Sequence, residues 1–191
     1  MKATFKSFTE STREDWREII VPQAMAYSAK LPERVLTHLS LLADDSGGFP
    51  VTRLQHCLQS AELAAEAGED DEYVVCALLH DIGDTLGCYN HADVAAVILE
   101  PFVSDENHWM VKHHAIFQGY NFFHHLGMDR HMRDQFKGTP HYERTVEFIA
   151  KYDNPAFDSE RPVPELERFR PLVEKVMAQP RKSLYKSLID L

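Results

Sequence analysis

Apolar residues along the chain gather in stretches of helical length, separated by Gly, Pro and Asp. Five such stretches predict helices: 51–67, 71–82, 91–100, 105–125 and 140–153. Gly68 ends the first of these, Asp70 or Asp71 caps the second, and Pro101 follows the third. Convincing strand patterns are scarce, so the pattern predicts an all-α fold with short loops and one core.

The two ends of the chain are less regular. Residues 1–21 are polar with scattered apolar positions, which predicts a short helix or an arm, and a helical stretch starts at about Pro32. Residues 43–50 (ADDSGGFP) predict a loop. The chain is Pro-rich after Pro155, and the stretch from about 165 to 178 predicts a last helix. A length of 191 residues suggests a single domain over 1–191 with its core at about 50–155.

The composition limits the possible partners. The formal net charge of −10 argues against non-specific binding to nucleic acid or to an anionic membrane, but it leaves room for a small-molecule substrate. The N-terminus has no apolar leader core, and no run of eighteen apolar residues occurs. Three cysteines without CxxC spacing suit reduced thiols. We therefore expect a cytoplasmic protein, and the sequence leaves the oligomeric state open.

His80 and Asp81 stand side by side at the end of the most apolar predicted helix. An ionised Asp buried there is costly without a partner, and a metal ion that binds both side chains removes this cost. Alternatively, Asp81 caps the next turn and His80 bonds a carbonyl. His56 lies 24 residues earlier on the preceding helix, and Asp153 ends the 140–153 helix. Each of these two would be unremarkable alone, but together the four form the ordered pattern H…HD…D.

This pattern resembles the HD-domain superfamily over roughly residues 50–155, and LLHDIG at 78–83 is its most specific segment. The resemblance implies a helical HD-domain bundle in which His56, His80, Asp81 and Asp153 are metal ligands. Binuclear members place two more histidines between the HD pair and the last Asp. In this chain His91 and His114 match them in order and context.

A second metal changes the role of Asp81, which would bridge two ions about 3.5–4 Å apart through its two oxygens. His113 competes with His114, because neighbours on a helix point about 100° apart and one of them faces the site. Residues 110–119 resemble the corresponding stretch of myo-inositol oxygenase, and that resemblance favours His114. Five other histidines have no motif support: His108, His124, His125, His131 and His141.

Two function classes are open to a binuclear HD protein. One is a phosphohydrolase, in which the metals activate water against a phosphate ester or nucleotide. The other is a mixed-valent diiron oxygenase, the group of myo-inositol oxygenase and the phosphonate-cleaving HD oxygenases. The short chain, the FIAKYD segment at 148–153 and the spacing of the 91–100 helix from the HD pair resemble the second group. That resemblance implies two iron ions, Fe(II) and Fe(III), with O₂ as co-substrate and a phosphonate as substrate.

Asp84 departs from these relatives, which carry Lys or His at that position. A carboxylate there, with Asp44 or Asp45, suggests a cationic substrate end. Nearby aromatics, Phe49, Tyr89, Phe117 and Tyr120, either face a quaternary ammonium or belong to the core. The implied substrate is (1-hydroxy-2-(trimethylamino)ethyl)phosphonate, cleaved to glycine betaine and phosphate. The phosphonate needs cations, and the candidates are Lys112, Arg130, Arg133, Lys137 and Arg161. The predicted substrate-binding set is Phe49, Asp84, Tyr89, Lys112, Gln118 and Arg161.

Overall fold

The computed structural model of the protein describes residues 1–178, 180–183 and 185. These residues form eight α-helices and no strand, which confirms the all-α prediction. The helices are α1 Val21–Ser28, α2 Leu31–Ser40, α3 Arg53–Glu66, α4 Asp71–Leu79, α5 His91–Leu99, α6 Asp105–Phe122, α7 Tyr142–Phe148 and α8 Arg170–Met177. The single domain predicted over 1–191 stays a prediction, and it includes residues 179, 184 and 186–191, which lie outside the described residues.

Helix α4 is the centre of the core. Every residue from Tyr73 to Leu79 is buried, and α3, α6 and α8 pack around the helix. A helix that is apolar on all sides is stable only when it is enclosed, and each fully buried Leu or Val side chain contributes roughly 1.5–3 kcal/mol. His80 follows directly and is also completely buried. The HD pair therefore lies where the chain leaves the most enclosed helix.

Local polar contacts set the ends of α3 and α4. Thr52 and Gln55 form a reciprocal cap: the Gln55 N–H donates to Thr52 Oγ1 at 3.1 Å, and the Thr52 N–H donates to Gln55 Oε1 at 2.8 Å. Gly68, with φ +82°, reverses the chain after α3. Asp70 then accepts the Tyr73 N–H at 2.8 Å, so Asp70 is the cap of α4. The result is a tight pair of helices that presents His56 towards the end of α4.

The predicted helix at 140–153 is two structures in succession. Helix α7 ends at Phe148, and a π-helical turn follows at Ile149–Asp153. The Asn154 N–H donates to Ile149 O at 2.9 Å, one residue beyond the α-helical spacing. Such wide turns occur frequently at functional sites, and this one places Asp153 among the other predicted ligands.

Helix α6 is shorter than predicted and gives way after Phe122 to a 3₁₀ turn at Phe123–Leu126. The turn ends at Gly127, whose φ of +71° favours glycine. α6 is nonetheless the longest helix, at 18 residues. Among the described residues no helix combines the length and the apolar composition that crossing a bilayer requires.

The N-terminal segment is more helical than the sequence indicated. A 3₁₀ turn at Phe8–Glu10 is followed by a π-helical stretch at Asp15–Ile20 that runs into α1, and none of these elements contains a buried residue. The enclosed part of the fold starts with α2, which packs against α8. The predicted last helix is a 3₁₀ turn at Leu166–Phe169 that continues into α8.

We expect Asp70→Ala to lower the free energy of unfolding of the metal-free protein by about 1 kcal/mol, because the Tyr73 N–H loses its acceptor at the start of the central helix. Urea denaturation measures this value. Asp71→Ala is the matched control, since Asp71 makes only a surface ion pair with Lys175 and its loss costs less. Equal losses in the two variants would contradict the assignment of Asp70 as the cap.

Candidate metal centre

The structure brings all six predicted ligands together. They come from five separate parts of the fold: His56 from the first turns of α3, His80 and Asp81 from the end of α4, His91 from the start of α5, His114 from the middle of α6, and Asp153 from the π-helical turn. Two overlapping groups can each hold a metal ion, and Asp81 belongs to both. This arrangement matches the binuclear interpretation of the sequence.

The first group surrounds one carboxylate oxygen of Asp81. His56 Nε2 lies 3.1 Å from His80 Nε2 and 3.2 Å from Asp153 Oδ1. Asp81 Oδ2 lies 3.4 Å from His80 Nε2 and 3.6 Å from His56 Nε2. The side chains of His56, His80 and Asp153 are at most 4% exposed, so this group is closed to bulk water.

The second group uses the other oxygen of Asp81. Asp81 Oδ1 lies 3.1 Å from His114 Nε2 and 3.3 Å from His91 Nε2, and the two imidazole nitrogens are 3.2 Å apart. His91 is the more accessible member, with 24% of its side chain exposed. The second group therefore lies on the side of the centre that is nearer to solvent.

The histidines are oriented as metal ligands by their other ring nitrogen. Each Nδ1 has a hydrogen-bond acceptor beside it: Ala156 O at 3.0 Å for His56, Ala77 O at 2.8 Å for His80, Val111 O at 2.7 Å for His114, and Asp84 Oδ1 at 3.3 Å for His91. A proton on Nδ1 leaves a lone pair on Nε2, and all four Nε2 atoms point into the centre. Lone pairs this close repel one another unless a cation lies between them.

The spacing and the chemistry of these atoms fit bound metal ions. A metal held about 2.0–2.2 Å from each donor keeps neighbouring donors roughly 3.0–3.6 Å apart, close to the distances found in both groups. Asp153 Oδ2 is buried without a hydrogen-bond partner, which is costly for a carboxylate oxygen and is relieved by a cation. Burial lowers the pKa of His80 to about 4, so its imidazole is neutral and able to ligate at neutral pH. Burial also opposes ionisation of Asp81, but the imidazoles of His80 and His114 outweigh it and hold the pKa of Asp81 well below its ordinary value.

Asp84 has a role that the sequence did not indicate. Its Oδ1 accepts from His91 Nδ1, and its Oδ2 lies 3.3 Å from Arg53 Nη1. We predicted that this carboxylate faces an ammonium group, whereas the structure engages both of its oxygens within the protein. Carboxylate–histidine pairs of this kind fix the ring of a ligating histidine and raise its basicity. Asp84 is therefore the group that orients His91.

Gly83 allows the second group to form. A Cβ atom at this position would lie 2.3 Å from the backbone oxygen of His91 and 2.8 Å from Val94 Cβ. A backbone atom cannot move aside as a flexible side chain can, so any larger residue separates the HD turn from the start of α5. The glycine of the LLHDIG segment is therefore explained by the close approach of two chain segments.

Two more residues of the predicted substrate-binding set lie beside the centre. Gln118 Nε2 donates to Asp153 Oδ1 at 3.1 Å and so steadies a predicted ligand. Phe49 lies 5.3 Å from Phe157 between ring centroids, and Phe157 stacks on the imidazole of His56 at 4.2 Å. Arg53 Cζ is 5.9 Å from the Phe49 ring. We call Phe49, Arg53 and Phe157 the rim of the centre.

The other three predicted substrate residues are not brought to the centre. Lys112 is exposed, and it lies two positions before His114, which places it on about the opposite side of α6. The Arg161 guanidinium pairs with Glu66 at the far end of α3, roughly 15 Å along the helix from His56. Tyr89 precedes His91 in a loop, with its side chain fully exposed.

Neighbouring positions on α6 separate in the way that helix geometry requires. His114 is buried in the centre, whereas His113 stacks on Trp109 at 3.9 Å and bonds the Trp109 carbonyl. Phe117 is a buried core residue, and Tyr120 lies against the guanidinium groups of Arg130 and Arg133. Neither aromatic side chain contributes to the rim. Arg53 and Phe157 were missed from sequence, although Arg53 stands one helical turn before His56.

A family model described as HD domain matches residues 53–154, which is more than half of the chain. The chain therefore belongs to the HD domain family. A curated relative from Leisingera caerulea, named [1-hydroxy-2-(trimethylamino)ethyl]phosphonate dioxygenase (glycine-betaine-forming), is 35% identical over 85 residues. The match covers 38% of this chain and 43% of the relative, so it spans less than half of that protein.

We expect the purified protein to bind two metal ions, His91→Ala to retain one, and Asp81→Ala to retain neither, because Asp81 contributes an oxygen to both groups. Elemental analysis of the purified variants measures the stoichiometry. His113→Ala is the matched control and should keep both ions, since its ring stacks on Trp109. Two ions bound to His91→Ala would show that His91 is not a ligand.

We expect Asp84→Asn to weaken binding of the second ion about 10–100-fold, because the amide no longer fixes the His91 ring as a carboxylate does. Titration of the metal-free protein followed by calorimetry measures the two affinities separately. Asp93→Asn, which removes an exposed charge from the first turn of α5, should leave both unchanged. If the two variants bind metal equally well, the pairing of Asp84 with His91 has no effect on the centre.

Proposed function

We propose that the protein is an O₂-dependent diiron oxygenase that cleaves the C–P bond of an organophosphonate. The proposed substrate is (1-hydroxy-2-(trimethylamino)ethyl)phosphonate, and the products are glycine betaine and phosphate. The proposed cofactor is a pair of iron ions, Fe(II) and Fe(III), and O₂ is the co-substrate. The observation that carries the proposal is the division of the two Asp81 oxygens between two histidine groups.

The donor set supports iron without requiring it. Four imidazoles and two carboxylates, with no thiolate among them, are suited to iron, manganese, zinc or nickel. Iron bound here would supply activation of O₂. The partial likeness to a relative named as a phosphonate dioxygenase favours iron and oxygen chemistry over hydrolysis.

The residues of this chain have separate parts in the proposed reaction. His56, His80 and Asp153 close one side of the centre against water, while the partly exposed His91 marks the side from which a substrate enters. Asp84 and Gln118 hold His91 and Asp153 in place. The Phe49 ring, half exposed, presents an aromatic surface next to His56 through Phe157. A trimethylammonium group placed over it gains about 0.5–2 kcal/mol from the cation–π interaction.

We expect the protein isolated with iron to consume O₂ in the presence of the proposed phosphonate and to release phosphate and glycine betaine in equal amounts. An oxygen electrode and phosphate assay measure the reaction, and partial reduction should give the paramagnetic signal of a mixed-valent iron pair. The analogue with a primary ammonium group is the matched substrate, and we expect it to react more slowly because it is strongly hydrated and fits an aromatic surface less well.

The competing function has a different outcome in the same assay. A binuclear phosphohydrolase would release phosphate from phosphate esters without O₂ and with Mn²⁺ in place of iron. Anaerobic hydrolysis together with no O₂ uptake on any phosphonate would reject the oxygenase.

A further inference from the structure

Arg53 is a cation at the edge of the metal centre. It is the first residue of α3 and lies one helical turn before His56, so both side chains project from the same face of the helix. Its Nη1 atom is 3.3 Å from Asp84 Oδ2, and the side chain is 30% exposed. Through Asp84 the guanidinium is linked to His91, a predicted ligand on the more open side of the centre.

The ion pair with Asp84 does not use all of the guanidinium. Arginine has five N–H donors in one plane, and the contact with Asp84 involves Nη1 alone. A Cβ atom at position 47 would lie 2.7 Å from Arg53 Nη2, so Gly47 keeps that side of the loop clear of the guanidinium. The free edge of a planar fork is the geometry that binds two oxygens of a phosphonate or phosphate.

Local charge gives a second reason for an arginine here. Asp81, Asp84 and Asp153 surround the centre with three carboxylates, which repel an anionic substrate. Arg53 offsets Asp84, the carboxylate that is not a predicted metal ligand. An anion therefore meets a cation at the entrance rather than an uncompensated carboxylate.

The cations predicted from sequence are engaged elsewhere. Lys137 pairs with Asp134 at 2.9 Å, and Arg130 and Arg133 stack against Tyr120. Lys112 and Arg161 lie away from the centre, as described above. Among the described residues, Arg53 is the cation whose ion pair joins it directly to a group that bonds a predicted ligand.

We propose that Arg53 binds the anionic group of the substrate at the rim of the metal centre, and that Asp84 is a positioning residue for both Arg53 and His91. The anionic group is a phosphonate or a phosphate monoester, which present the same three oxygens. The phosphonate assignment rests on the proposed function, whereas anion binding by Arg53 holds for either chemistry.

The test is binding of inorganic phosphate and of methylphosphonate to the zinc-loaded protein, measured by calorimetry. We expect Arg53→Gln to weaken both about 10–100-fold, since one charge-assisted hydrogen-bonded pair is lost, with two ions still bound. Binding of dimethyl methylphosphonate, which carries no charge, should be equal in the two proteins. Arg168→Gln removes a surface arginine that pairs with Glu62 and is the matched control. Equal phosphate affinity in Arg53→Gln and the wild type would overturn the proposal.

A second measurement covers the case in which Arg53→Gln loses metal. In the ¹⁵N-labelled wild-type protein, the arginine Nε–H resonance that is absent from Arg53→Lys should shift on titration with phosphate. A resonance that does not move while phosphate binds would overturn the proposal. O₂ uptake is assayed separately, so loss of phosphate binding in Arg53→Gln without O₂ consumption by the wild type would refute the oxygenase and retain the anion site.

Discussion

The convergence of four imidazole nitrogens around one carboxylate is the constraint on which this structure depends. The Nε2 atoms of His56 and His80, and those of His91 and His114, lie 3.1 and 3.2 Å apart. Such contacts are unfavourable between neutral acceptors and favourable around cations. Asp81 resolves the geometry because its two oxygens face different histidine pairs. The surrounding helices must therefore hold five chain segments within a few ångströms of a single side chain.

The scaffold meets this requirement by rigid local devices. Helix α4 is enclosed on all sides and delivers His80 and Asp81 at its end, while Gly83 lets the start of α5 approach closely enough for His91 to join them. Backbone carbonyls orient three of the histidines, and the Asp84 carboxylate orients the fourth. The histidine held by a carboxylate is also the most exposed, so the flexible and accessible side of the centre is the one whose orientation depends on charge.

Much of this centre could be predicted from the sequence, for reasons that separate it from the parts that could not. His80 and Asp81 stand out because polar groups at the end of an apolar helix need partners, and helix geometry separates His114 from His113. Contacts across the fold carry no such local signal. The Arg161–Glu66 pair and the Arg53–Asp84 pair join residues whose proximity arises only from packing, so Arg161 was favoured and Arg53 was missed. The π-helical turn before Asp153 likewise depends on which carbonyl each N–H reaches.

Because the ligands come from five separate parts of the fold, bound metal acts as a cross-link between them. An ion that binds the folded chain and not the unfolded one stabilises it by an amount set by its free concentration, about 2.7 kcal/mol at 100 times the dissociation constant. That amount is a substantial fraction of the net stability of an ordinary domain. The lifetime of the folded protein in a cell is then linked to metal supply: scarcity of the metal exposes the chain to proteolysis as well as stopping turnover.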